Sequence, residues 1–207
     1  MLDTIDVGKS TAKRGDPAES CSTKYPAESD DREIGMQIDE ALEFLKAHQP
    51  MGPTQTIPQS EIDAYDAALE LFIETPDDRC VALFLNSFGE GDLDGVYVQV
   101  EDVITEFDPA LVLPHLKQAL GSPRDSVRYW CAQIAAEFPS ADIALELIDI
   151  AKSNDFDLRS AAVSALAQIE DETVSAFLEQ MSQTEPDPEL RALLAEILAH
   201  RESKKMD

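Results

Sequence analysis

The chain has 207 residues, 43% of them hydrophobic, so it is long enough and apolar enough to bury a core. It carries 42 acidic residues against 16 basic ones, a formal net charge of −26, which argues against binding to nucleic acid or to anionic lipid. The longest apolar run, residues 80–85, is too short to span a membrane.

Residues 1–33 are predicted to form a disordered polar tail. They are rich in Ser, Thr, Asp, Lys and Pro and contain few large apolar residues, so they cannot bury enough surface to offset the entropy lost on ordering. Almost all of the net charge belongs to residues 34–207, which we expect to fold as one helical domain.

Helical periodicity begins at Ile34 and continues through most of the chain. It predicts one helix that ends near His48 and another that starts at Ser60, with a Pro-rich connector between them. Ser60 is expected to cap the second helix. Residues 96–107 include several β-branched side chains, but their apolar positions fit a helical face better, so we predict a helix there.

The C-terminal half repeats one pattern three times, which predicts helical hairpins at 108–138, 140–169 and 171–201. In each hairpin an Asp lies three or four residues before an Arg, and small or aliphatic residues follow four and seven positions later. The Arg residues are Arg128, Arg159 and Arg191. A period of about 31 residues built from two short helices is typical of a solenoid.

This pattern resembles HEAT repeats, in the short form found in phycobilisome-lyase-like proteins. The resemblance is strongest at 187–198, DPELRALLAEIL, where the Asp, the Arg and the Ala-rich helix follow the pattern of the repeat. It implies an all-α fold, a right-handed α-solenoid of about four to five HEAT-like hairpins, which presents its surface to protein partners.

The repeated residues are interpreted as structural. Each Asp is expected to cap the second helix of its hairpin, and each Arg to tie adjacent repeats together. The alternative is that the three Arg residues form a ladder that binds phosphate or carboxylate. Six alanines are expected to be buried where helices approach closely. They are Ala132, Ala135, Ala162, Ala165, Ala192 and Ala195.

No sequence pattern predicts catalysis or a bound cofactor. The chain contains no Gly-rich phosphate loop and no GxSxG, and its three histidines are far apart. Residues 90–101 do nearly match an EF-hand calcium loop, although Glu90 replaces the usual Asp and Val98 cannot coordinate at position 9. We therefore predict no metal, and a calcium-responsive module stays an alternative to a solvated turn.

The distribution of charge indicates a surface for a partner. No Lys or Arg lies between Arg79 and Lys117, whereas exposed helices usually intersperse both signs. Two interpretations explain this excess of acidic residues: the acids serve solubility alone, or they bind a cationic protein partner. The candidate partner-binding residues in this window are Glu90, Asp92, Asp94, Glu101, Asp102 and Glu106.

A second candidate set occupies outward positions of the repeat helices, which we expect to line a concave face. It consists of Tyr129, Gln133, Glu137, Ser160, Ser164, Gln168, Glu196 and His200. The repeat fold, the acidic surface and the lack of a catalytic set together predict a non-enzymatic, cytoplasmic binding protein. By analogy with small acidic helical antidotes, the sharper hypothesis is a bacterial immunity protein that neutralises a cationic toxin such as a nuclease. The alternative is a generic HEAT scaffold or accessory subunit.

Overall fold

A computed structural model describes residues 36–206, with side chains described up to residue 204. The tail predicted at 1–33 lies outside the described residues. Within them the chain forms ten α-helices, three short 3-10 segments and no strand, which confirms the predicted all-α class. None of these helices is long and apolar enough to cross a membrane.

The first four helices are α1 (Ile38–Ala47), α2 (Gln59–Glu74), α3 (Arg79–Ser87) and α4 (Val100–Thr105). The other six are α5 (Pro109–Leu120), α6 (Asp125–Ile134), α7 (Ala144–Ile150), α8 (Phe156–Gln168), α9 (Glu172–Thr184) and α10 (Pro188–Met206). The 3-10 segments are Leu93–Gln99, Ala135–Glu137 and Ala141–Ile143. The helix predicted at 96–107 is therefore present, with its first turn in 3-10 form.

The second half of the described chain is a series of packed helix pairs. Helix α5 packs on α6, α7 on α8, and α9 on α10, while α6 also packs against α8. Ala132 and Ala135 on one side, and Ala162 and Ala165 on the other, are fully buried, and small side chains let helix axes come close together. The right-handed twist and the count of four to five hairpins stay predictions.

Two of the three expected Asp caps are present. The Asp155 carboxylate accepts a hydrogen bond from the Leu158 amide at 3.0 Å, and the Asp187 carboxylate accepts from the amide of Leu190 at 3.1 Å. The prediction is wrong for Asp125, because α6 begins at that residue and its side chain pairs with Arg128 instead.

The predicted cap of the second helix is also wrong. Helix α2 begins at Gln59, directly after Pro58, so Ser60 lies inside the first turn. Proline supplies a backbone angle that already suits the start of a helix and has no N–H to satisfy, so the chain turns into the helix before it reaches Ser60.

Only one of the three repeat arginines joins neighbouring hairpins. The Arg159 guanidinium donates to a carboxylate oxygen of Glu185, which follows α9, at 3.1 Å. Arg128 pairs with Asp125 within α6, and Arg191 donates to the carbonyl of Pro186 in its own hairpin. Because Arg128 and Arg191 bond locally, the expectation that each Arg ties adjacent repeats is wrong for those two.

Ala192 and Ala195 are exposed, so their predicted burial is wrong. They lie on a side of α10 that no other described helix covers. The repeat pattern alone could not reveal this, because burial of a repeat position depends on whether another helix packs over it.

Candidate functional site

The candidate site is a groove of about 340 Å³ at which α4, α6 and α8 meet, and we call it the acidic groove. Six of the predicted partner-facing residues line it. They are Glu101, Tyr129, Gln133, Glu137, Ser160 and Ser164. Asp157 lines it as well, together with Ala136 and Ala161.

Helix geometry explains why these residues share one groove. Tyr129, Gln133 and Glu137 follow each other at intervals of four, so they stand on one face of α6 and its 3-10 extension. Asp157, Ser160 and Ser164 stand in the same way on one face of α8. Since α6 and α8 pack side by side, the two rows form opposite walls of the groove.

The charges in the acidic groove are all of one sign. Its lining contains the carboxyl groups of Glu101, Glu137 and Asp157 and no Lys or Arg. Burial raises the pKa of the Glu101 carboxyl, and repulsion from Glu137 and Asp102 raises it further. The negative charge on Glu101 is thus unfavourable in the free protein, and a cation placed in the groove would relieve that cost.

Tyr129 is held in place by an aromatic cluster behind it. Its half-buried ring meets that of Trp130 edge to face, with centroids 5.3 Å apart. Trp130 in turn contacts Phe88 and Tyr97, and its indole N–H donates to the Gly91 carbonyl at 3.4 Å. A rigid aromatic ring beside carboxylates is suited to contact the aliphatic stem or the charged head of Lys or Arg.

The other acids of the first candidate set lie outside the acidic groove. Glu90, Asp92 and Asp94 are exposed on the loop after α3, and Asp102 and Glu106 are exposed on or just after α4. None of these five side chains lines the groove, although the charge of Asp102 does act on Glu101. The first candidate set is therefore split, with Glu101 alone inside the acidic groove.

The second candidate set is split as well. Gln168, Glu196 and His200 line a different groove of about 1030 Å³, formed mainly by α9 and α10. The sequence placed these three residues in one row with Tyr129, but the structure assigns them to a separate surface.

The geometry gives the calcium alternative no support. Among the described residues, no three His, Cys, Asp or Glu side chains converge to hold a metal ion. Glu101, the last ligand position of the loop pattern, lines the acidic groove instead. The loop is also not a wholly solvated turn, because Gly89 and Leu93 are buried and the Leu93 amide donates to the Thr54 hydroxyl at 3.0 Å.

Sequence reasoning missed two residues that matter here. Asp157 could have been found, since it continues the row of Ser160 and Ser164 by one more turn of α8. Arg201 had no such signal. Its guanidinium donates to the carbonyls of Leu166 and Ile169, each at 2.7 Å, and so satisfies the C-terminal end of α8 from the far end of α10.

The packed helix pairs of the second half are consistent with a helical-repeat architecture. Residues 113–199 match the family model of HEAT repeats, which supports a HEAT-repeat protein. The matched stretch contains every lining residue of the acidic groove except Glu101. The search of curated proteins and the search of solved structures each return no match.

Proposed function

We propose that this chain is a non-enzymatic protein-binding module that receives a cationic protein in its acidic groove. The observation that carries the proposal is the meeting of Glu101, Glu137 and Asp157 beside Tyr129 without a basic side chain in the lining. Carboxylates that are close together and unpaired destabilise the free protein, and they gain most from a partner that brings Lys or Arg.

The surface acids outside the groove would act at longer range. Glu90, Asp92, Asp94, Asp102 and Glu106 are exposed, and the whole chain carries a formal net charge of −26. The negative electrostatic potential around these charges would attract a cationic protein and so speed its association. The half-buried Tyr129 would then act as the anchor that slows dissociation, as aromatic residues in the centre of an interface commonly do.

In its sharpest form, the proposal is a bacterial, cytoplasmic immunity protein that neutralises a cationic toxin such as a nuclease. A nuclease needs a basic surface to hold phosphate, and an acidic partner placed on that surface blocks it. The match to HEAT repeats also favours a second candidate, a generic scaffold or accessory subunit, since such repeats present surfaces for many partners.

The proposal is tested on the partner captured from the native host with the full-length chain. Stopped-flow association should slow at least tenfold between low and high salt, because attraction between exposed charges is screened over about 8 Å at physiological ionic strength. Glu137→Lys with Asp157→Lys should weaken binding strongly. Glu70→Lys with Glu74→Lys, two exposed acids of α2, makes the same change in net charge outside the groove and should have little effect.

Two results would count against the proposal. One is a partner whose association rate does not depend on salt, and the other is equal weakening by the two double variants. To separate the two candidate functions, the enzymatic activity of the captured partner is assayed with and without this chain. Inhibition in a one-to-one complex favours the immunity protein, and unchanged activity favours the scaffold.

A further inference from the structure

The groove between α9 and α10, which we call the terminal groove, is lined by side chains along both helices. Leu193, Ile197 and Lys204 line it from α10 at helical spacing, and Glu172, Ala176 and Glu179 line it from α9 in the same way. Both rows therefore run along their helices. The row on α10 extends over about 16 Å at 1.5 Å per residue, the length of about three helical turns.

The floor of the terminal groove is apolar. Leu193 and Ile197 are only half-buried and Ala176 is exposed, so all three offer apolar surface in the groove. Apolar side chains at positions i and i+4 on one helix are the usual anchor points for an amphipathic helix that lies in a groove. The chemistry of the floor therefore fits the apolar face of a helix.

The rim of the terminal groove is acidic. Glu172, Glu179 and Glu196 are exposed along it. The Arg and the Lys in the lining are already engaged, because Arg201 donates to a carbonyl of α8 and Lys204 pairs with Glu170 at 3.0 Å. The groove therefore offers an apolar strip between unpaired carboxylates, which is complementary to a helix with one apolar face and basic flanks.

We infer that the terminal groove binds a basic amphipathic helix of a partner protein. The inference rests on the proposed function, in that the ligand is a cationic protein, and it adds the kind of segment that is recognised. A second copy of this chain does not fit, because each copy carries a formal net charge of −26 and would meet an acidic rim.

The test uses the full chain and a fluorescent 18-residue peptide of Leu and Lys, with Leu at helical spacing. A second peptide has the same composition in an order that forms no apolar face, and a third replaces Lys by Glu. Anisotropy titrations should show saturable one-to-one binding of the first peptide. The second should bind at least tenfold more weakly, and the third should not bind measurably. Equal binding of the first two peptides would show that binding depends on charge alone and not on an apolar helix face, and it would overturn the inference.

A pair of matched variants locates the binding surface. Ala176→Arg fills the terminal groove, and Ala195→Arg makes the same change at an exposed residue of α10 outside that groove. The first should lower the affinity for the Leu/Lys peptide at least tenfold, and the second less than threefold. Circular dichroism confirms that both variants keep their helices. Equal losses in the two variants would overturn the inference.

The native partner separates this inference from the proposed function. If the partner associates in a salt-dependent way and Ala176→Arg does not weaken it, the inference fails and the proposed function stands. If association ignores salt while the peptide still binds as expected, the proposed function fails and the recognition of a helix by the terminal groove is supported.

Discussion

The residues before and after Asp108 are held together in different ways. After Asp108 local contacts recur in successive hairpins, since Asp155 and Asp187 cap their own helices and both α6 and α8 bury alanines. Before Asp108 the chain depends on contacts between distant segments. The Met51 amide donates to the Ser87 carbonyl at 2.8 Å, and the Thr54 amide donates to the Glu90 carbonyl at 3.0 Å.

The cores of the two regions differ as well. The first region buries large aromatic rings, and the Tyr65 hydroxyl shares a 2.6 Å hydrogen bond with the Ser87 hydroxyl inside that core. The second region buries mainly small and aliphatic side chains. Because the second region repeats, its helices can be predicted from the period of its sequence. The first region depends instead on contacts between particular residues that are far apart in the chain. The acidic groove takes Glu101 from the first region and its other lining residues from the second.

The largest effect is expected from Glu185→Ala, which removes the ionic contact between two hairpins of the second region. The side chains of Glu185 and Arg159 are only 3% and 13% exposed, so the change would leave a buried guanidinium without its counter-charge. We expect a loss of about 3–5 kcal/mol in the free energy of unfolding, measured by urea denaturation.

The matched control for Glu185→Ala is Asp125→Ala. It removes the carboxylate that pairs with Arg128, the arginine of another hairpin that corresponds to Arg159. The Asp125 side chain is 70% exposed, so the expected loss is within about 1 kcal/mol. Comparable losses from the two variants would mean that the buried pair is no more important to the second region than a surface pair.

A smaller effect is expected from Gly89→Ala, which acts on the first region. A Cβ at this position would collide with the backbone oxygen of Met51, where the connector crosses the loop after α3. Displacing the connector should lower the free energy of unfolding by about 2–3 kcal/mol, because the added Cβ meets backbone and not a side chain that can rotate away. The effect is measured by thermal unfolding of Gly89→Ala and of a control variant, Gly121→Ala. A Cβ at Gly121 would have its nearest atom 3.5 Å away, so the control should cost little. A stable Gly89→Ala variant would contradict the view that this crossing orders the first region.

The smallest effect is expected from Glu101→Gln, at the boundary of the two regions. The pKa of Glu101 is raised in the folded protein, so the folded chain binds this proton more readily than the unfolded chain does. Ionised Glu101 therefore lowers the free energy of unfolding. This loss is complete when the pH is above the raised pKa, and it disappears as the pH falls through that pKa to below the ordinary carboxyl value. The variant should therefore be slightly more stable than the parent at neutral pH, within about 0.5 kcal/mol, and equally stable at low pH.

The same substitution should also weaken the proposed binding of a cationic protein, because it removes a carboxylate from the acidic groove. Melting temperatures and affinities measured over one pH series test both effects. A variant that is less stable than the parent at neutral pH would show that the charge of Glu101 is compensated, and would weaken the argument for a functional groove.

The amino-acid sequence by itself determined the helical class, the repeat pattern and the row of residues that forms one wall of the acidic groove. Regular spacing places Tyr129, Gln133 and Glu137 on one face of α6 and its 3-10 extension, whatever the neighbouring helices do. Composition likewise shows that residues 80–116 contain acids but no Lys or Arg. These properties are local or additive, so they can be derived without knowing which segments meet.

Only the tertiary structure decided which rows share a groove and which residues are covered. Gln168, Glu196 and His200 follow the same period as the Tyr129 row, yet they line the terminal groove because α9 and α10 enclose a separate space. Ala192 and Ala195 carry the repeat pattern of buried alanines, yet they are exposed because no described helix packs over them. Burial and the meeting of charges depend on neighbours that lie far away in the chain, and a period within one helix contains no information about them.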